Sequence, residues 1–253
     1  MSERNLVQTF NEYFDLLVPA PGSREMQEAF RIRYQVFCEE LGYFEPKFPA
    51  KGLEMDADDD RSLHCMVRHR PSGAPAGYVR LVCSDGTDPD SRLPLETRFG
   101  DSLFHAELHP DRMDRSRICE ISRLMVHSTF RRRAGEQGSP LGRNESLLLS
   151  SAETRTFPLI TVSLFMGVLI VGGAQGMEHG FAMMEPRLAR LLQLSGFHFT
   201  QVGAVRDYYG PRATYHMDLT QALAVVRSSP LLSGLYDAAH DRLAAACAPP
   251  DRG

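Results

Sequence analysis

Apolar side chains recur every three or four positions in two segments near the start of the chain. The first segment runs to Leu17 and is followed by Pro19. The second covers residues 23–41, between Ser23, a favourable helix N-cap, and Gly42. This spacing places the apolar side chains on one face of a helix. The pattern therefore predicts two amphipathic helices.

Strand patterns appear further along. Residues 64–70 and 76–84 flank a turn rich in proline and glycine and predict a hairpin, whereas residues 117–127 are β-branched and apolar, which is typical of a buried central strand. Downstream segments predict a helix over 158–179, a strand over 180–186, a helix over 186–196, short strands within 197–203 and 212–219, and helices after Asp218. Strands that alternate with helices predict an α/β fold.

Composition and charge weigh against several kinds of partner and location. The formal net charge is −4, from 28 basic and 32 acidic residues, which weighs against nucleic acid or an anionic membrane as the main partner. The five cysteines form no C-x-x-C pair, and the start of the chain lacks a signal-peptide pattern, so a reducing, cytoplasmic location is expected. Residues 158–174 are shorter than the roughly 20 residues that span a bilayer, so they predict a buried helix, with peripheral membrane contact as the alternative. The histidines lack metal-site spacing, and no metal is expected.

Two charged residues interrupt the apolar central strand. Glu120 and Arg123 are three positions apart, so a regular strand would place them on opposite faces. A β-bulge between them would bring both into one site, and bulges are frequent beside active sites. Two separate ion pairs on a half-exposed strand are the alternative reading.

The segment after this strand concentrates positive charge and glycine. It contains Arg131, Arg132, Arg133, Gly135 and Gly138. Small residues let backbone N–H groups approach an anion, so the segment is a candidate for binding the phosphate of an acyl donor. A solvated basic loop is the alternative.

An ordered set of motifs runs through the chain. It consists of R-Y-Q-V-F, an aromatic residue after L-G, E-x-D-x-x-D, G-Y-V-R-L-V and E-I-S-R. This order resembles the acyl-homoserine-lactone synthases and, more closely, the long-chain N-acyl amino acid synthases, including acyltransferases associated with exosortase systems. The resemblance covers about residues 25–218. Tyr43 stands where homoserine-lactone synthases usually carry tryptophan, and the chain has no tryptophan.

The resemblance implies a GNAT fold, in which a mixed central sheet with a splayed strand pair carries helices on both faces. We expect an acyltransferase domain over residues 23–218, with helical extensions over 1–22 and 219–253. The implied reaction transfers a long-chain acyl group from an acyl carrier protein or CoA thioester to the α-amine of an amino acid. An acyl-homoserine-lactone synthase using S-adenosylmethionine is one alternative, and a non-catalytic module that binds acyl chains or carrier protein is another.

Roles follow from the resemblance and from the chemistry of aminolysis. Glu120 is the candidate base, Tyr208 or Tyr209 the candidate proton donor to the thiolate, and Arg123 or Arg80 the candidate ligand of the acceptor carboxylate. The expected substrate-binding residues are Arg33, Phe37, Asp56, Asp59, Arg80, Ser122 and Arg123, and we expect the acids, with Glu54, to neutralise the arginines at one pocket rim. Backbone N–H groups of Leu124, Met125 and Val126 are expected to polarise the thioester carbonyl. The candidate acyl tunnel comprises Phe165, Met166, Leu169, Met183 and Met184, for which plain core packing is the alternative.

Overall fold

The computed structural model describes residues 3–45, 49–86, 88, 91–131 and 150–247. Within these ranges eight strands form one mixed sheet in the order β1-β2-β3-β4-β5-β8-β6, with β7 paired to β8. The strands are β1 (Phe14–Leu17), β2 (Ser62–His69), β3 (Pro75–Cys83), β4 (Ile118–Val126), β5 (His179–Met184), β6 (Thr200–Gln201), β7 (Arg206–Asp207) and β8 (Pro211–Asp218). Neighbouring strands are antiparallel except β4 and β5, which are parallel.

Helices cover both faces of the sheet. They are α1 (Glu3–Tyr13), α2 (Arg24–Arg33), α3 (Pro94–Phe99), α4 (Ser151–Thr154), α5 (Pro158–Ala174), α6 (Pro186–Leu194), α7 (Leu219–Ser228) and α8 (Pro230–Cys247). The main core lies between one face of the sheet and α5, with α8 packed behind that helix. A smaller core on the opposite face joins α2 to Met66, Tyr78 and Met125. The predicted α/β fold is confirmed.

The helix predicted over residues 23–41 forms, but it changes type along its length. Ser23 caps it by accepting a hydrogen bond from the N–H of Met26 at 3.1 Å. After Arg33 the backbone widens into a π-helix over Tyr34–Glu40, which ends where the Leu41 N–H donates to the Val36 carbonyl. Such wide turns often occur at functional sites.

The first predicted helix is shorter than its apolar pattern suggests. It ends at Tyr13, and Phe14–Leu17 pair with β2 as the edge strand β1. Phe14 and Leu16 are buried because pairing turns both side chains toward the core. The helical prediction is therefore wrong for residues 14–17, where the apolar spacing also suits a strand and pairing with β2 decides between them.

Helix α5 is the buried helix expected from its apolar sequence. Close packing on the sheet depends on Gly167, where a Cβ atom would lie 3.0 Å from the Sγ atom of Cys65. Gly172 also approaches the sheet closely, since a Cβ there would lie 3.3 Å from Leu81 Cδ2. Among the helices that the structure describes, none combines the length and apolar character needed to cross a bilayer.

The predicted β-bulge is present in β4. Tyr78 of β3 pairs with Met125 of β4, but Arg80, two residues further, pairs with Ser122, three residues back. The extra residue gives Arg123 a positive φ of 56°. Beyond the bulge the alternation of side chains changes phase, so that Met125 faces the smaller core while Leu124 and Val126 face the main one.

Candidate active site

A cavity of about 520 Å³ opens where β4 and β5 separate. The two strands pair only at Ile118–Glu120 and His179–Phe181, and their later residues diverge around the cavity. Apolar side chains make up most of the wall, with Phe165 from α5 and Leu188 and Leu191 from α6 among them. The volume lies in the range of small-molecule sites.

Glu120 lies in the cavity wall, at the last position where β4 is paired with β5. Its carboxylate is buried and its Oε2 atom accepts a hydrogen bond from the Leu95 N–H at 2.7 Å. Burial disfavours the charged form and raises the pKa of Glu120 to about 7, although the Leu95 N–H and the charges of Arg80, Arg98 and Arg123 oppose this rise. The carboxyl therefore exchanges its proton near neutral pH, as an acid–base catalyst requires.

Behind this wall lies an arginine–acid network. Its members are Arg33, Arg80, Arg123, Glu54, Asp56 and Asp59. Asp59 Oδ1 joins two buried arginines, at 2.6 Å from Arg33 Nη1 and 2.7 Å from Arg80 Nη1. Asp56 similarly joins Arg80 at 2.6 Å to Arg123 at 2.9 Å. The three positive and three negative side chains neutralise one another, as expected from the sequence.

Glu54 completes the network by linking α2 to the bulge. Its Oε2 atom lies 2.5 Å from Arg33 Nε, and its Oε1 atom lies 3.0 Å from Arg123 Nη2. Burial alone would raise the pKa of Glu54, but the neighbouring arginines hold it below its usual value. The pKa values of Asp56 and Asp59 are lowered by the same balance. The network is thus a set of fixed charges at neutral pH.

A neutral histidine–tyrosine pair supports this network. His64 Nδ1 lies 2.6 Å from the Tyr78 hydroxyl, which is 3.5 Å from Arg33 Nη1. Burial lowers the pKa of His64 to about 4 and raises that of Tyr78 to about 12, so both are uncharged at neutral pH. Neither residue was predicted from the sequence, although both lie on the strands β2 and β3 beside predicted site residues.

The structure brings many of the predicted site residues to the cavity. They are Glu120, Ser122, Arg123, Phe37, Leu124, Met125, Val126, Arg131, Phe165, Met183, Met184, Tyr208 and Tyr209. Arg132, Arg133, Gly135 and Gly138 lie outside the described residues. The bulge thus joins Glu120 and Arg123 in one site, as predicted.

Four predicted substrate-binding residues are placed elsewhere. Arg33, Asp56, Asp59 and Arg80 belong to the network and are not among the described residues that line the cavity. Arg80 is 1% exposed and donates to Asp56, Asp59 and, at 3.2 Å, to Ser122 Oγ. The expected shared pocket rim is therefore corrected: the bulge presents only Arg123 of the network to the cavity.

Two predicted tunnel residues also lie outside the cavity lining. Met166 and Leu169 are buried in the main core. Leu169 is one turn beyond Phe165, toward the end of α5 where Gly172 packs on Leu81. Leu81 pairs with Ile121, which lies near the part of β4 that is still paired with β5. This end of α5 therefore packs on the closed part of the sheet. The plain-core alternative therefore describes these two residues.

A cluster of aromatic side chains borders the cavity. It comprises Phe99, Tyr208, Tyr209, Tyr43 and Phe44. Phe99 contacts Tyr208 at 5.0 Å between ring centroids, and Tyr209 stacks on Tyr43 at 4.9 Å. Tyr209 has a positive φ of 53°, in the turn before β8. No sequence motif marks Phe99 or Phe44, because contacts between segments far apart in the chain bring them here.

Further arginines line the cavity, and they differ in their partners. Arg131 forms an ion pair with Glu40, and Arg212 lies 5.1 Å from the centroid of the Tyr43 ring. Arg98 and Arg187 are exposed and have no hydrogen bond or ion pair within the described part of the chain. No group of His, Cys, Asp and Glu side chains in that part could hold a metal ion.

Comparison with known proteins relates part of the chain to one family model. Residues 32–139 match the acetyltransferase (GNAT) domain model. No curated protein sequence matches the chain. The structure of TofI in a ternary complex with an inhibitor and MTA is similar, with a TM-score of 0.59 and 18% identity over 87% of this chain and 99% of that one.

Two further solved structures share the fold. The acyl-homoserine-lactone synthase LasI has a TM-score of 0.56 and 14% identity over 82% of this chain and 90% of that one. FeeM, an N-acyl amino acid synthase from uncultured soil microbes, has a TM-score of 0.53 and 15% identity over 87% of this chain and 97% of that one. The chain therefore shares the fold of these two synthases.

Proposed function

We propose that the protein is an N-acyltransferase that joins a long-chain acyl group to the α-amine of an amino acid. The observation that carries this proposal is one buried carboxyl group, Glu120, with a pKa of about 7, in the wall of an apolar cavity between two diverging strands. Aminolysis of a thioester needs a base for the ammonium proton and an apolar space for the acyl chain. The cavity offers both.

The reaction begins with removal of a proton from the acceptor ammonium. Glu120 takes this proton, directly or through water, and the neutral nitrogen attacks the thioester carbonyl carbon. The tetrahedral intermediate that forms has a positively charged nitrogen, and it collapses to the amide with cleavage of the C–S bond and loss of a second proton from that nitrogen. The leaving thiolate gains a proton, for which Tyr208 or Tyr209 is the candidate donor because both line the cavity. The proton lost from the nitrogen then restores the tyrosine hydroxyl.

Backbone N–H groups of β4 are suited to stabilise the oxyanion. The His127 N–H donates to the Ala76 carbonyl, toward β3, at 2.9 Å. Successive N–H groups of a strand alternate in direction, so the Val126 N–H points toward β5, from which β4 has already separated. An N–H group directed into the gap can donate to the thioester oxygen as negative charge develops there.

The acyl chain would occupy the apolar end of the cavity. Phe165, Met183, Met184, Leu188 and Leu191 supply that surface from α5, β5 and α6. Its donor is proposed to be a thioester of acyl carrier protein, with CoA as the alternative. Arg131, which also lines the cavity, is 30% exposed and offers a positive contact for an acidic carrier protein.

S-adenosylmethionine is the second candidate acceptor, since it also contains an α-amine. The motif resemblance to homoserine-lactone synthases implies this acceptor, whereas Tyr43 in place of the tryptophan usual in those enzymes favours a plain amino acid. The acceptor therefore has to be identified by its product.

The test is acyl transfer by the purified full chain. Palmitoyl carrier protein or palmitoyl-CoA is incubated with each amino acid or with S-adenosylmethionine, and thiol release and products are measured by a thiol reagent and mass spectrometry. We expect an N-acyl amino acid and a matching quantity of free thiol. An acyl-homoserine lactone would establish the second candidate, and acyl-donor binding without thiol release would identify a non-catalytic module.

A further inference from the structure

Arg98 is a cavity arginine that no sequence motif marks. Arg98 lies on the short helix α3, three residues after Leu95, and both residues line the cavity. The Leu95 N–H is the group that binds the Glu120 carboxylate at 2.7 Å. Arg98 is therefore about one helical turn from the group that binds Glu120, and its positive charge is near enough to oppose the rise that burial gives the pKa of that carboxyl.

Helix α3 is held firmly enough to define this position. The Leu93 N–H donates to Glu96 Oε2 at 2.7 Å, and Arg115 donates to both oxygens of Glu96 at 2.9 and 2.8 Å. Phe99, next to Arg98, packs edge-on against Tyr208 at 5.0 Å. The backbone of α3 is thus fixed on two sides, while the Arg98 side chain is exposed at the cavity.

Other arginines near Glu120 already form ion pairs with acidic residues. Arg80 is buried and binds Asp56 and Asp59, and Arg123 binds Glu54 and Asp56 through Nε and Nη2. Arg98, by contrast, has no hydrogen bond or ion pair with any residue described in the structure. Its full set of guanidinium donors is available to a ligand.

An acceptor α-amino acid needs a cation at this place. Its amine nitrogen must lie within hydrogen-bond reach of Glu120 when the proton is transferred. The α-carboxylate is attached through the same Cα atom, so its oxygens lie only about 3 Å from that nitrogen. A second carboxylate this close to Glu120 is repelled unless a positive group binds it.

We propose that Arg98 binds the α-carboxylate of the acceptor and thereby selects α-amino acids over simple amines. This role rests on the proposed acyl transfer and replaces Arg80 and Arg123 as the expected carboxylate ligand. The planar guanidinium can donate two parallel hydrogen bonds to a carboxylate. S-adenosylmethionine carries the same α-carboxylate, so the assignment holds for either candidate acceptor.

The test compares acids with amines that differ only by the carboxylate. Arg98→Gln and Arg98→Lys are assayed with L-phenylalanine against 2-phenylethylamine and with L-leucine against 3-methylbutylamine, using one palmitoyl thioester. In Arg98→Gln we expect KM for the amino acids to rise about 10- to 100-fold, the effect of one charge-assisted interaction, while KM for the amines stays the same. Arg98→Lys should recover part of the loss.

Arg187→Gln is the matched control, since Arg187 is the other cavity arginine without a partner in the described residues. It should keep the wild-type ratio of amino acid to amine KM. Equal losses with acids and amines in Arg98→Gln, no loss at all, or a selective loss in Arg187→Gln instead would overturn the assignment. A wild-type protein that acylates neither an amino acid, nor S-adenosylmethionine, nor a simple amine would refute the proposed function itself.

Discussion

Two groups of buried charge lie on the same face of the sheet and behave in opposite ways. In the arginine–acid network, each carboxylate contacts at least one arginine, and the pKa values of Glu54, Asp56 and Asp59 are lowered. Glu120 has one backbone N–H as its hydrogen-bond donor, and burial raises its pKa to about 7. The residue types are similar, so the difference comes from how completely each charge is matched.

This difference assigns a role to each group. Matched charges cannot exchange protons near neutral pH, so the network serves to fix the bulge and hold Arg123. A poorly matched carboxyl costs stability when it ionises, but it can accept a proton at the pH where the protein works.

The largest expected effect is loss of turnover in Glu120→Gln. The amide keeps an oxygen for the Leu95 N–H but cannot accept a proton, so kcat should fall by about 10²–10⁴. The kcat/KM of the wild type should rise with pH through about 7 and then level off, as Glu120 ionises. Initial rates across pH 6–9 check both points, and Glu107→Gln, an exposed carboxylate outside the cavity, should keep the wild-type profile.

The same substitution should increase stability at alkaline pH. The pKa of Glu120 is higher in the folded than in the unfolded chain, so the free energy of unfolding falls as pH rises from about 4.5 to about 7. Glu120→Gln removes this dependence and should be more stable than wild type above pH 7, by up to about 3 kcal/mol. Urea unfolding at pH 5 and pH 8 measures it, and an equal change at both values would contradict the raised pKa.

Breaking the network should have the opposite consequence. Asp59→Asn removes the negative charge shared by Arg33 and Arg80, both buried, and should destabilise the fold by about 3–5 kcal/mol. The acids of the network have lowered pKa values, so their stabilisation is present above about pH 4 and is lost as pH falls further. Urea unfolding at pH 7 and pH 3.5 should show a smaller loss at the lower pH.

Asp58 offers a matched control, since it lies beside Asp59 in the short 3₁₀ helix Ala57–Arg61. It forms an ion pair with Arg61 at 2.8 Å, in which both side chains are partly exposed. Asp58→Asn should change the free energy of unfolding by less than about 1 kcal/mol, because exposed pairs contribute little. A loss as large as that of Asp59→Asn would mean that the 3₁₀ helix itself, and not the buried charge, determines stability.

Arg123 belongs to the arginine–acid network and also lines the cavity, so its substitution should lower both stability and activity by intermediate amounts. Arg123→Lys keeps the charge but loses the planar arrangement of donors that binds Glu54 and Asp56 together. We expect a loss of about 1–2 kcal/mol in stability and about a tenfold loss of kcat/KM. Unfolding and rates measured on one preparation test this, and a stability loss with unchanged kcat/KM would confine Arg123 to the network.

The smallest expected effect concerns the donor. Arg131→Glu should raise KM for palmitoyl carrier protein several-fold, an effect that weakens as salt screens the surface charges. KM for a short pantetheine thioester should change little, because that donor presents no protein surface. Equal changes with both donors would indicate that Arg131 acts within the cavity.

The sequence by itself determined much of the fold. The hairpin, the buried central strand and α5 follow from local periodicity, since these segments carry enough apolar residues to specify their own structure. The charged residues within the central strand also predicted the bulge, because an apolar strand rarely carries unmatched charge. Where a segment suits both a helix and a strand, as at Phe14–Leu17, the neighbouring strand β2 decided.

Only the tertiary structure decided which charged residues act together. Glu120 meets the Leu95 N–H across 25 residues, and Glu54 meets Arg123 across 69. In the sequence Arg80 and Arg98 are two arginines with the same charge. Packing buries Arg80 against Asp56 and Asp59, whereas Arg98 remains exposed at the cavity. The pKa and the availability of a charged group depend on its burial and on its neighbours in space, and segments far apart in sequence supply both.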